Sequence, residues 1–211
     1  MDPAITLPVP ELEPRATAVM AEAAELEDPE RDALAALDRA DRDAALTILM
    51  RGYGAPLYRY CRRMVDDEEL AQDAHQLTFV QAYEAMAGFS RRSSLRTWLF
   101  GIARHRCLDA IKVERRRRRR FARLSEEDDR PAGGADPEAG LAAGSLAAAL
   151  AACLRGLAPR VRAAVLLRFQ QGLSYVQIAA ITGEGAATLQ ARVARALPVL
   201  RRCLEQRGLA P

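Results

Sequence analysis

The sequence predicts an all-α protein of two small helical domains joined by a flexible linker. Half of the 211 residues are apolar but only 5% are aromatic, and Ala and Leu dominate, a mixture that favours helices over strands. Apolar residues recur at spacings of three and four along most of the chain, without strand-like alternation. Residues 121–145 break that rhythm with Glu126-Glu127-Asp128-Asp129, Pro131, Gly133, Gly134, Pro137 and Gly140, the composition of a linker.

Taken in order, residues 1–29 read as an acidic, largely disordered N-terminal extension. A short helix over 16–26 is expected within it, ended by Asp28-Pro29. From Glu30 the pattern is dense: Leu34, Leu37, Ala45, Leu46, Leu49, Leu57, Tyr60, Cys61 and Met64 form a stripe facing a core. Gly52 and Gly54 weaken this stretch, and Pro56 is expected to kink it. A helix over 67–87 follows, ended by Gly88-Phe89-Ser90. A longer one starts at a Ser93 or Ser94 N-cap and runs into Arg115–Arg120, so the first domain spans 30–120. After the linker, helices are expected over 146–157, 159–170, 174–182 and from Ala186 onward, completing a second domain over 146–207. Pro198 is expected to kink or end the last helix.

Charge and composition narrow the function. The net charge of +3 conceals an acidic head, with twelve acidic and four basic side chains before residue 46, on a basic body with sixteen and twenty-seven. All but one of the 31 basic residues are Arg, Lys112 being the exception. Arg presents a planar, multi-donor fork suited to phosphate, so a polyanionic partner is expected. The acidic head could fold over the basic surface, although a solvated tail is the simpler reading. No apolar run is long enough for membrane insertion, and the N-terminus lacks a secretory pattern, so the expected location is cytoplasmic. Cys61, Cys107, Cys153 and Cys203 lie far apart, without metal-ligand spacing, and are read as buried thiols. No metal, cofactor or catalytic constellation is expected: there is no P-loop, no Ser/His/Asp set, and only His75 and His105 to carry acid–base chemistry.

Two constellations point to nucleic acid. In the C-terminal half, Ser174 and Gln177 fit a capping box, Gly183-Glu184-Gly185 a tight turn, and Leu189, Val193, Ala196 and Leu200 the buried face of a second helix. That order is a helix-turn-helix, with Ala187, Thr188, Gln190, Ala191, Arg192 and Arg195 outward and Leu157, Val161, Val165 and Phe169 packed behind. An ordinary helical hairpin would share much of this pattern. In the N-terminal half, Leu95, Leu99, Ile102, Arg106 and Ala110 mark one helix face. Trp98, Gly101, His105, Asp109, Lys112 and Arg116 form a neighbouring stripe, with an aromatic at one end and cations at the other, as single-stranded DNA requires. The loop Ser90-Arg91-Arg92-Ser93-Ser94 before it could surround an extruded base. Trp98 reads equally well as core, and the arginine run as a solvated helix end.

The segment FSRRSSLRTWLFGIARHRCLDAIK, residues 89–112, resembles the promoter-melting region of the sigma-70 family, especially its extracytoplasmic-function group. AQDAHQLTFVQAYEAM before it is similar to that family's core-polymerase-binding region, usually D-x-x-Q-E-x-F; Asp73, Gln76 and Phe79 match, and Leu77 replaces the Glu. GLSYVQIAAITG, residues 172–183, resembles the start of the family's helix-turn-helix. The resemblance implies a sigma factor that is not itself an enzyme, with core RNA polymerase and promoter DNA as partners and an anti-sigma factor that occludes its domains. Asp73, Gln76 and Phe79 would contact polymerase. Arg91, Arg92, Ser93, Ser94, Trp98, His105, Asp109, Lys112 and Arg116 would recognise and open the −10 element. Thr188, Gln190, Arg192 and Arg195 would read the −35 element. The recognition stretch AATLQARVARAL is less basic than the family's usual form, which implies weaker or unusual −35 reading. Alternatives are a DNA-binding regulator that has lost polymerase binding, and a protein-interaction module that binds anti-sigma proteins without DNA.

Overall fold

A computed structural model describes residues 28–65, 67–125 and 146–209. These residues form helices, with no strand among them. Helix α1 (Pro29–Asp38) opens with Asp28 as N-cap, whose carboxylate accepts the Glu30 amide. Asp28-Pro29 therefore starts a helix, because Pro at a first helical position needs no N–H partner. The helix expected over 16–26, and the acidic extension, lie outside the described residues.

Helix α2 (Arg42–Met64) is capped by Asp41 and continues through Pro56. Its line of Ala45, Leu49, Leu57, Tyr60, Cys61 and Met64 is fully buried, and that packing outweighs the one backbone bond Pro56 removes. Gly52 has a packing role, since a Cβ there would lie 2.6 Å from Pro29 Cβ; the glycine lets α1 lie directly on α2. Helix α3 (Glu68–Ala85), capped by Asp67, ends in a 3-10 turn over Met86–Gly88. Helix α4 spans Leu95–Ser125, so the first residues assigned to a linker extend this helix instead; 126–145 lie outside the description.

The buried line of α4 is Leu95, Leu99, Phe100, Ala103 and Cys107, with Tyr60 edge-on to Phe100 at 5.7 Å. Leu95 and Leu99 are buried as the spacing predicts; beyond them the buried line runs one position on, and Ile102, Arg106 and Ala110 are only half-buried. At the end of this line Cys107 on α4 hydrogen-bonds to buried Cys61 on α2. That bond and burial push the Cys107 thiol well above its ordinary pKa, so it stays protonated and unreactive.

The C-terminal half comprises α5 (Leu146–Arg155), α6 (Pro159–Val165), a π-helical turn over Leu166–Gln170, α7 (Tyr175–Thr182) and α8 (Ala186–Glu205). In the π turn the Gln171 amide donates to the Leu166 carbonyl at 3.1 Å. This wider turn shifts the register. Leu166 and Leu167 become buried while Phe169 is 60% exposed, contrary to its expected place behind the helix pair. Helix α8 continues through Pro198 to Glu205; Leu189, Val193, Ala196 and Leu200 anchor both sides of the proline, and Ala194, whose carbonyl loses its donor, faces solvent. Cys153 on α5 and Cys203 on α8 form a disulfide with Cα atoms 5.8 Å apart. This corrects their reading as thiols: α5 packs against α8, a proximity that a separation of 50 residues conceals.

The two halves share one buried cluster. Helix α7 packs on α4, and α5 and α6 meet α2. Buried Arg162 on α6 donates from Nη1 to the Met64 carbonyl at 2.8 Å and from Nη2 to the Arg155 carbonyl at 2.6 Å. Arg96 on α4 donates to the Gln171 carbonyl. No helix among the described residues is long and apolar enough to cross a membrane.

Candidate nucleic-acid interface

The start of α4 is built by two polar contacts. Ser94 Oγ accepts the Thr97 amide at 3.0 Å, which makes Ser94 the cap. Glu30 on α1 accepts the Leu95 amide at 2.7 Å, satisfying a second helix-end donor from across the fold. In the loop before it, Arg91 adopts a positive φ of 54° and pairs with Asp38 at the end of α1, while Arg92 Nε donates to Ser90 Oγ at 3.2 Å. A non-glycine residue in the left-handed region is strained; here the pair with Asp38 holds it. The loop is thus a formed hook, with Arg91 and Arg92 exposed and Ser93 and Ser94 half-buried.

Along α4, Trp98 is half-buried with its ring 5.2 Å from Phe89. It is part core and part surface, a position that spacing alone left open. His105 and Asp109 lie one turn apart on the exposed side, 3.5 Å from each other. Lys112 and Arg116 continue the same side. The arginine run is not uniform. Glu114 accepts from Arg117 at 2.8 Å and from Arg118 at 2.7 Å, and the Arg118 bond above all holds the Glu114 carboxyl below its usual range. Arg115, Arg116 and Arg119 face a cleft on the other side.

On α3, Asp73 and Gln76 are exposed, together with the apolar Leu77 and Val80. Phe79 is not available with them: it is 5% exposed and packs edge-on to His75, ring centres 5.2 Å apart. It sits one helical step inside the exposed face, on the side that meets the core. His75 Nε2 donates to the Gly54 carbonyl at 3.1 Å; burial outweighs that bond and lowers the His75 pKa below its ordinary value.

The helix-turn-helix forms as its residues require. Ser174 Oγ accepts the Gln177 amide at 3.2 Å and Gln177 Oε1 accepts the Ser174 amide at 2.8 Å. Gly183 takes φ 71°, the left-handed cap that favours glycine. On α8, Thr188, Gln190 and Arg195 are exposed. Arg192 instead is half-buried and donates from Nη1 to Glu184 in the turn at 2.8 Å. That bond holds the Glu184 carboxyl low and raises Arg192, so Arg192 braces the turn rather than projecting outward.

Helix α7 lies against the stripe on α4. Its Ile181 sits 3.6 Å from the point where a Cβ on Gly101 would stand, and Trp98, His105 and Ala180 line the same seam. The part of the α4 stripe from Trp98 to His105 is therefore partly covered by α7, the first helix of the helix-turn-helix. Two features escaped the sequence reading, the brace made by Arg192 and the buried strut Arg162. A lone Arg within Val161–Val165 was the one visible sign of the latter.

The sigma-70 region 2 family model matches residues 49–119, and a sigma-70 region 4 model matches residues 147–197. The ECF RNA polymerase sigma factor SigE of Mycolicibacterium smegmatis is 33% identical over 154 residues, 72% of this chain and 59% of that protein. The probable RNA polymerase sigma-C factor of Mycobacterium bovis is 37% identical over 140 residues, 64% of this chain and 71% of that protein. Among solved structures, the sigma factor RpoE in complex with the anti-sigma factor NepR from Bartonella quintana aligns with a TM-score of 0.55 at 26% identity, covering 74% of this chain and 94% of that one. CnrH in complex with the cytosolic domain of CnrY aligns with a TM-score of 0.61 at 24% identity, covering 85% and 99% respectively, a likeness that bears on the fold alone.

Proposed function

The chain belongs to the extracytoplasmic-function group of the sigma-70 family, and from that premise we propose that it binds core RNA polymerase and directs promoter recognition, strand opening and transcription initiation. Residues 30–120 act as the region 2-like unit and 146–207 as the region 4-like unit, working in the cytoplasm where polymerase and promoters are. Catalysis belongs to the polymerase; this chain supplies positioning and is not an enzyme.

The observation that carries this reading is the order of groups on α4: an aromatic pair, Phe89 and Trp98, at its start, the His105–Asp109 pair in the middle, and exposed Lys112 and Arg116 beyond. Stacking at one end and phosphate neutralisation along the rest suit a strand being peeled from its complement. The Ser90–Ser94 hook holds an extruded base, with Arg91 and Arg92 beside it. Asp73 and Gln76 on α3 contact polymerase, and exposed Leu77 and Val80 add an apolar contact where the family's usual Glu is missing. Phe79 holds α3 in place from within. Thr188, Gln190 and Arg195 read the −35 element, with Arg192 fixing the turn that presents them. Engaging a promoter requires α7 to leave α4, since the seam covers part of the melting stripe. An anti-sigma factor that holds the halves together is the natural regulator.

Run-off transcription with purified core polymerase on genomic promoter fragments tests the reading. Promoter-dependent transcripts are expected, abolished by Trp98→Ala and weakened by Lys112→Ala. Neither co-elution with core polymerase nor a transcript from any promoter would remove it. With four to six phosphates neutralised, DNA affinity falls with a log–log salt slope of about −3 to −5. Leu77 favours one other reading, a DNA-binding regulator that does not engage polymerase; DNA binding without polymerase pull-down would select it.

A further inference from the structure

Between α4 and the C-terminal half lies a solvent-open cleft of about 800 Å³, within the size range of small-ligand sites. One wall carries Arg104, Lys112, Arg115, Arg116 and Arg119 from α4; the other carries Arg160 from α6. Two carboxylates, Asp109 and Glu184, also line it. Six cations against two carboxylates leave a surplus of four positive charges. Both acids are already engaged, Asp109 beside His105 and Glu184 by Arg192. The surplus is thus directed at the cleft.

Arg104 adds an independent sign. Its Nε is shut off from solvent and has no hydrogen-bond partner among the described residues, and burial lowers the guanidinium pKa. The half-buried guanidinium has lost part of its hydration, a cost that an anion beside its accessible nitrogens offsets.

We propose that this cleft binds an oligophosphate chain of three or more phosphates, held between the α4 cations and Arg160. The α4 cations run over about four helical turns from Arg104 to Arg119, so a single phosphate reaches few of them while a chain of anions reaches many. The lining contains no Phe, Tyr or Trp, and its one aromatic ring, His105, is paired with Asp109, whereas a nucleic-acid strand bound through its bases needs a row of stacking partners. Phosphates, not bases, are therefore what the cleft recognises. Inorganic polyphosphate and the tail of a nucleoside triphosphate offer this same chemistry. Because the cleft exists only while the halves are packed together, its ligand stabilises that closed arrangement by mass action. The cleft shares Lys112 and Arg116 with the surface proposed for promoter DNA, but tripolyphosphate binding is read without promoter or polymerase, so the two readings fail separately.

Calorimetric titration of the full chain with sodium tripolyphosphate at constant ionic strength tests it. Saturable binding with one ligand per chain is expected. Arg160→Glu, an exposed site on the wall opposite α4, should weaken it at least tenfold. Arg59→Glu, the same charge change on the exposed side of α2, should leave it intact. Unliganded melting curves of both variants check that the fold is kept. ATP in place of tripolyphosphate separates the sources: equal affinity points to the phosphate chain alone, and tighter binding to a nucleotide. Absence of tripolyphosphate binding overturns the proposal. So does equal binding of orthophosphate at the same phosphorus concentration, or an Arg160→Glu variant that binds as wild type. If a ten-residue oligothymidine displaces tripolyphosphate at far lower concentration, the cleft is a nucleic-acid channel and the proposal fails.

Discussion

Replacing Arg162 with Met tests how the halves are held together. Arg162 is 4% exposed, and its fork reaches the Met64 carbonyl on α2 at 2.8 Å and the Arg155 carbonyl at the end of α5 at 2.6 Å. Met keeps most of the stem volume and removes both bonds. A hydrogen bond from a charged donor contributes about 1.5–3 kcal/mol, and relief of the buried guanidinium's desolvation offsets part of the loss. The expected net destabilisation is about 2–3 kcal/mol. Roughly half belongs to the Met64 bond, the one that crosses between halves, and a shift of about 1.4 kcal/mol moves the closed-to-open equilibrium about tenfold. Urea unfolding should show the lower midpoint, and small-angle scattering a larger radius of gyration. Affinity for single-stranded DNA should rise in parallel, as α7 uncovers the stripe from Trp98 to His105. An unchanged midpoint together with an unchanged radius would refute the role assigned to Arg162.

Other perturbations probe separate elements. Gly52→Ala drives a Cβ to 2.6 Å from the Pro29 ring and should cost about 1–3 kcal/mol, read as a lower urea midpoint; no change would mean that α1 does not rest on α2. Reducing Cys153–Cys203 opens a loop of 50 residues and should lower stability by about 4 kcal/mol on the chain-entropy account. Cys153→Ser should reproduce that loss without reductant, and a variant as stable as the oxidised protein would contradict the pairing. Burial lowers the native pKa of His75, so the unfolded chain takes up the proton first. Stability should therefore decline as pH falls from about 6.5 towards the lowered native pKa. His75→Gln, which keeps a donor for the Gly54 carbonyl, should flatten that slope in urea titrations at stepped pH.

Much of the fold was legible because it is written locally. Ser174, Gln177 and Gly183 state a helix start and stop within ten residues, and the structure realises each bond they imply. The four residues that anchor α8 are the four that spacing selected. What spacing could not supply depends on tertiary packing. Pro56 read as a kink and Pro198 as a kink or an end, and burial on both sides carries α2 and α8 through them as continuous helices. Phe169 was displaced by a wider turn that leaves no mark in residue spacing. On α4 the buried line past Leu99 is set by partners on another helix, Tyr60 against Phe100 among them. At the candidate site, residue types were legible but their engagements were not. Phe79 points inward, Arg91 is held by Asp38, and Arg192 by Glu184.

The carboxylate of Glu30, resting on the Leu95 amide, fixes where the N-terminal unit can be cut. The matched family segment begins at residue 49, yet a fragment trimmed to that point discards α1, exposes the Gly52 face of α2 and strips a cap from α4. The smallest intact piece therefore has to keep Asp28 and α1, which acts as a splint for the start of α4.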